Sequence, residues 1–221
     1  MSRSHRDLKA LRQAQREEAA ARQKARDRRN LLIVGSALAL VAIGIVVVAA
    51  ILNNQAKIAQ ANRIKFQPVT TPVGQQVADE GPATHIDPGT TANYKFYPPT
   101  SGPHYSVQGS APAPWQTIGS LQEGQFVHNL EHGGIAILYN CSSGSDCTTL
   151  KTQLENYVQN LAPAEPTFNE VKLVLTPYSR GMQKKIALVA WHYVDFLDAY
   201  DPNEITRFYE SHVDQGPEHI P

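Results

Sequence analysis

The chain has 221 residues, and its 20 Lys and Arg against 20 Asp and Glu give a formal net charge of zero. That balance hides a split of about +6 over the first 30 residues against about −6 from residue 53 onward. Two methionines exclude a methionine-rich copper relay, and the basic arm lacks the interleaved aromatics of a nucleic-acid binder, so no nucleic-acid partner is expected.

Residues 1–30 are read as a basic cytoplasmic arm. Residues 31–52 form a run of 22 without a charge (LLIVGSALALVAIGIVVVAAIL). A helix of that length reaches about 33 Å, enough for a hydrocarbon core of about 30 Å. A cleaved signal peptide would carry an apolar region of about 7–15 residues and a short basic flank. Here both are longer, and Ala59-Gln60-Ala61, which resembles a cleavage triplet, lies beyond the run. A transmembrane helix is therefore favoured. Ten Lys or Arg precede it, while residues 53–65 hold only Lys57, Arg63 and Lys65. The positive-inside rule then puts the N-terminus in the cytoplasm, a single-pass type II topology at the cell membrane. Arg22, Lys24, Arg26, Arg28 and Arg29 are expected against anionic lipid headgroups.

Residues 53–80 read as a linker or stalk, helical over 53–63, and residues 81–221 as one extracytoplasmic domain. From Ala83 to Gln122 turn residues dominate, with prolines at 88, 98, 99, 103, 112 and 114 and a short extended piece over Tyr94–Tyr97. Gly134–Tyr139 is an apolar run expected as a buried strand. Cys141 and Cys147, the only cysteines, flank a tight Ser/Gly/Asp loop and are expected as a disulfide outside the cytoplasm. Thr148–Leu161 carries the 3.6-residue period of an amphipathic helix, capped by Asp146 or Thr148. Val171–Leu175 and Ile186–Tyr193 are strand candidates. Asp201-Pro202 opens a last helix with apolar face Ile205, Phe208 and Tyr209. The expected fold class is α+β: a small, mainly antiparallel sheet, two helices and a long loop-rich N-terminal half.

The chemistry concentrates in Pro98–Tyr105 (PPTSGPHY) and Val127–Gly134 (VHNLEHGG). His104, His128 and His132 are read as metal ligands, with His85 as a fourth, for a transition metal such as zinc or copper. His128-Asn129-Leu130-Glu131-His132 matches H-x-x-E-H, in which a helix sets two zinc-binding histidines beside a water-activating glutamate. Gly124 and Gly133-Gly134 argue against that helix. In an extended segment Glu131 would face away from both histidines, leaving it to support the ligand imidazoles from outside. A metal-dependent hydrolase therefore ranks third. Ser101 lacks the nucleophile-elbow context. His5, His212 and His219 are taken as terminal or surface residues.

PPTSGPHY, VHNLEHGGIAILY, the later ALVAW and the closing GPEH resemble the bacterial membrane-anchored family catalogued as domain of unknown function 3105, over roughly residues 80–220. The resemblance implies a single-pass anchored outer domain of unsettled activity, with His85, His104, His128, Glu131 and His132 as signature positions. Trp191-His192 departs from the Ala-Trp-Gly expected there, which sets His192 aside as a local substitution on a strand. The leading expectation is metal handling at the cell envelope, ahead of a metal-free module for an envelope protein or glycan.

Overall fold

In the computed structural model residues 3–106, 112–141 and 143–221 are described, and the chain divides into two compact units, Met1–Lys57 and Ile58–Pro221. Arg3–Asn62 form one helix, α1. The side chains of residues 31–52 within it are all exposed, and among the described residues α1 is the one helix long and apolar enough to cross a membrane.

The second unit is built on a five-stranded sheet in the order β1-β7-β6-β4-β5. Its strands are β1 (Gln75–Gln76), β4 (Ile135–Tyr139), β5 (Leu173–Pro177), β6 (Ile186–Ala190) and β7 (Tyr193–Leu197). The pairs β1·β7, β4·β6 and β6·β7 are antiparallel and β4·β5 is parallel. The central strands read as unbroken apolar runs because both faces are covered. Ile135, Ile137, Leu173, Leu175, Ile186 and Leu188 enter one core cluster. Ala136, Leu138, Val174, Ala187 and Val189 enter the other.

The first cluster is closed by α3 (Ser145–Asn156), a π-helical turn over Tyr157–Leu161, and α4 (Pro202–His212), through Leu154, Tyr157, Phe208 and Tyr209. Asp201 caps α4, its Oδ1 accepting from the Asn203 and Glu204 amides at 2.9 and 3.3 Å, with Pro202 in the first turn. The second cluster is closed by α2 (Glu123–Glu131) through Phe126, Val127 and Leu130. Cys141 and Cys147 form a disulfide across the loop from β4 to α3, their Cα atoms 5.4 Å apart.

Several expectations change. Ile186–Tyr193 is not one strand, because Trp191-His192 turns the chain between β6 and β7 with His192 at φ 64°. His192 is thus a turn residue rather than a strand residue. Tyr94–Tyr97 is not a strand, and the chain bends over residues 95–98. Neither Asp146 nor Thr148 caps α3; its N-cap is Gly144. The stretch before residue 81 supplies the edge strand β1 as well as a connection. A third helix in the second unit, α2, stands where loop was expected.

Phe208 is fully buried between α4 and the sheet. Phe208→Ala should lower the stability of the second unit by about 3–5 kcal/mol, read from urea unfolding followed by tyrosine and tryptophan fluorescence. A loss below about 1 kcal/mol would contradict this packing.

Candidate metal centre

Two short strands, β2 (His85–Ile86) and β3 (His104–Tyr105), pair in parallel with His85 opposite His104 and Ile86 opposite Tyr105. Residues opposite each other on paired strands share a face, so the register alone sets the two imidazoles side by side. Their ring centroids are 4.9 Å apart. The loop before β3 is buried over Pro98–Gly102. The loop is tied down through the Ser101 hydroxyl, whose Oγ accepts from the Glu80 N–H at 3.1 Å, and Tyr94 Oη donates to the Pro103 carbonyl at 2.6 Å. Ser101 is fully buried and serves the loop's architecture.

Helix α2 delivers the other ligands, and its glycines explain why it forms. Gly124 lies against the Tyr105 ring, where a Cβ would come within 2.7 Å of ring carbons. It is the contact that lets α2 approach β3, not a helix breaker. At the other end Gly133 has φ 75°, its N–H donating to the Leu130 carbonyl at 3.0 Å while the Gly134 N–H donates to that of Asn129 at 2.8 Å. That is the Schellman pattern by which helices stop. The glycine pair therefore ends a helix that Phe126, Val127 and Leu130 anchor to the core.

The expectation that Glu131 faces away from the histidines is corrected by this helix. Positions i and i+3 share a helical face, and His128 and Glu131 both turn toward β2 and β3. Asn129 between them bonds Ala113 through both amide atoms, at 2.7 and 3.0 Å. His85, His104, His128 and Glu131 each offer one ligand atom, all within 4.8 Å of one another. His104 Nε2 stands 2.8 Å, and His85 Nε2 3.7 Å, from Glu131 Oε2. For comparison, ligand atoms about 2.0–2.2 Å from a tetrahedral zinc stand about 3.3–3.6 Å apart.

His132 lies outside this group. It caps the C-terminus of α2, its ring meets that of His128 edge-on with centroids 4.7 Å apart, and its Nε2 is 3.3 Å from Glu218 Oε2. It joins a second set of Glu131, His132 and Glu218. The H-x-x-E-H stretch is helical, but its two histidines do not converge on one centre with the glutamate beside them.

His104 Nδ1 is 2.9 Å from the Gly102 carbonyl, which can only accept, so Nδ1 carries a proton and Nε2 is the ring atom that faces Glu131 Oε2. The two atoms are close, yet neither is aligned with a hydrogen-bond partner, and His128 Nδ1 is likewise buried without one. Buried polar atoms in folded proteins are mostly paired; of the five without a partner among the described residues, three lie in this cluster and the others are Thr100 Oγ1 and Glu170 Oε2. Burial pushes the Glu131 carboxyl up, but its polar contact with His104, and then the nearby imidazoles of His104, His128 and His85, outweigh it and hold the group below the usual carboxylate range. Burial, then His132 and His104, lower His128 to about 4.

Of the other histidines, His212 is not a surface residue: it is buried, its Nε2 2.7 Å from the Val73 carbonyl and its ring against Tyr193 and Phe208. His219 is exposed, and the side chain of His5 is outside the described part. Sequence reading missed Glu218 and the Gly102 carbonyl; the closing GPEH was the one local hint of the former.

Three imidazoles and a carboxylate gathered between a strand pair and a helix define a histidine–carboxylate domain of α+β fold. Residues 85–220 match the family described as Protein of unknown function (DUF3105), and the chain belongs to that family. No curated protein and no solved structure matches the chain.

His128, His132 and His212 all sit below the ordinary histidine value of about 6.5, burial being the largest cause in each. A histidine lowered on folding stabilises fully above its unfolded pKa and loses that contribution as pH falls toward its folded value. The metal-free protein should therefore hold a steady Tm above about pH 7 and lose it progressively between about pH 6.5 and 4. A flat Tm through that window, measured by calorimetry, would contradict the burial of these rings.

Proposed function

We propose that the outer unit is a membrane-anchored metal-binding domain. Its ion would be a first-row transition metal, zinc foremost, held by His85, His104, His128 and Glu131. What carries this reading is the convergence of three imidazoles and one carboxylate, with His104 Nε2 2.8 Å from Glu131 Oε2 and neither atom in an aligned hydrogen bond. A simple imidazolium–carboxylate pair would need one histidine, whereas three imidazoles converge here. Burial and the neighbouring rings disfavour protonation of His128, which leaves it free to bind a cation. Imidazole with one carboxylate suits zinc, and copper follows from the same donors.

Among the four, His85 is the half-exposed one, with its side chain 46% accessible against 0% for His104. It gives the ion a route in and out, which suits capture and hand-over of metal at the envelope. The apolar stretch 31–52 would anchor the chain with its N-terminus in the cytoplasm, the basic arm lying against anionic lipid.

His104→Ala should weaken zinc binding by more than the roughly 10–100-fold that losing an outer hydrogen bond to a ligand costs. Competition with a chromophoric chelator, on full-length protein in detergent, reads this. His85→Ala should speed zinc release while leaving the Tm of the metal-free protein unchanged. Unaltered zinc affinity in both variants would sink the reading. For topology, a C-terminal alkaline phosphatase fusion should be active and an N-terminal one inactive in cells; the reverse pattern would refute the orientation.

A further inference from the structure

Glu131 belongs to two ligand sets at once: with His85, His104 and His128 on one side, and with His132 and Glu218 on the other. We propose that a second divalent cation binds at His132 and Glu218, and that the Glu131 carboxylate bridges it to the first. This inference rests on the metal-binding reading of the first set and extends it to a two-metal centre.

Adjacency follows from the helix end. Glu131 and His132 are consecutive, and the His132 ring meets that of His128 at 4.7 Å between centroids. The two ligand sets thus abut through neighbouring side chains, as in carboxylate-bridged pairs whose ions lie about 3.5–4 Å apart.

Glu218 is not a loose terminal acid. Its N–H donates to the Glu131 carbonyl at 3.0 Å. Two residues earlier the chain passes so close to the end of α2 that a Cβ on Gly216 would collide with the Glu131 and Leu130 carbonyls. Beyond it, the Ile220 carbonyl accepts from Lys172 Nζ at 2.7 Å, and Lys172 itself is fully buried. The tail is pinned on both sides of Glu218, which fixes that carboxylate opposite His132.

Two carboxylates and one imidazole lie within 4.8 Å of one another, a donor set that suits a divalent cation. The nearby buried cation is Lys172, and Asp214 takes it up at 2.7 Å. Two oxygens and one nitrogen make this the harder of the two donor sets, and three protein ligands leave positions for water or an oxyanion. Glu218, with its side chain 46% accessible, marks the solvent side.

The test uses the full-length chain in detergent, stripped by chelator and equilibrated with zinc at graded free concentrations, beside Glu218→Gln. That variant keeps the backbone hydrogen bond and, being partly exposed, should fold. The wild type should take up two zinc ions per chain, the second more weakly, and Glu218→Gln one, at the affinity of the tighter ion. One zinc in the wild type would overturn the second position and leave the first standing. Two in Glu218→Gln would overturn the role given to the tail. None in either protein would overturn both readings. Loaded with copper(II), the wild type should give the electron paramagnetic resonance spectrum of a coupled pair and Glu218→Gln that of an isolated ion. An isolated-ion spectrum from wild type carrying two coppers would overturn the bridge.

Discussion

A carboxylate oxygen and an imidazole nitrogen held against each other in the interior set the terms for the rest of this domain. His104 turns Nδ1 to the Gly102 carbonyl, so Nε2 meets Glu131 Oε2 at 2.8 Å, with neither atom in an aligned hydrogen bond. Each unmet polar atom of this kind costs of the order of 1–3 kcal/mol, more when charged. The fold keeps the arrangement only because elements around it are fixed independently. β3 is held by the buried loop and its pairing with β2, and α2 by its apolar face on the sheet. A cation between them would turn a strained contact into the strongest local interaction.

Close approach is the recurring device. Gly124 brings α2 onto Tyr105, and Gly133 with Gly134 ends the helix where His132 can turn toward the tail. Lys172, buried beneath, ties Asp214 and Ile220 and thereby the whole C-terminal segment. The candidate centre is thus assembled from three places far apart in sequence: residues 85–104, the end of α2, and the last few residues.

Much of the framework was legible in the sequence, for identifiable reasons. The apolar strand β4, the last helix with its Asp201-Pro202 start, and the cysteine pair all carry local signals of composition and spacing. The α+β class followed from them. Helix α2 was hidden because its two glycines look like breakers when read locally, and their purposes, contact with Tyr105 and a Schellman stop, exist only in three dimensions. The orientation of Glu131 was misjudged with it, since period two and period 3.6 send that side chain opposite ways. His85 beside His104 depends on the register of a two-residue strand pair, which no local pattern announces. Glu218 depends on a tail packed by long-range contacts to Lys172 and α2. His212 looked terminal because nothing in its neighbourhood reveals that Val73 and Tyr193 cover it.

The central claim is that His104 and Glu131 share a metal ion rather than a proton. Anomalous diffraction at the zinc edge, from crystals of the zinc-loaded protein, addresses it directly. The account predicts a peak within about 2.0–2.2 Å of ligand atoms from His85, His104, His128 and Glu131. Density free of any peak there, with His104 and Glu131 drawn into an aligned hydrogen bond, would contradict it.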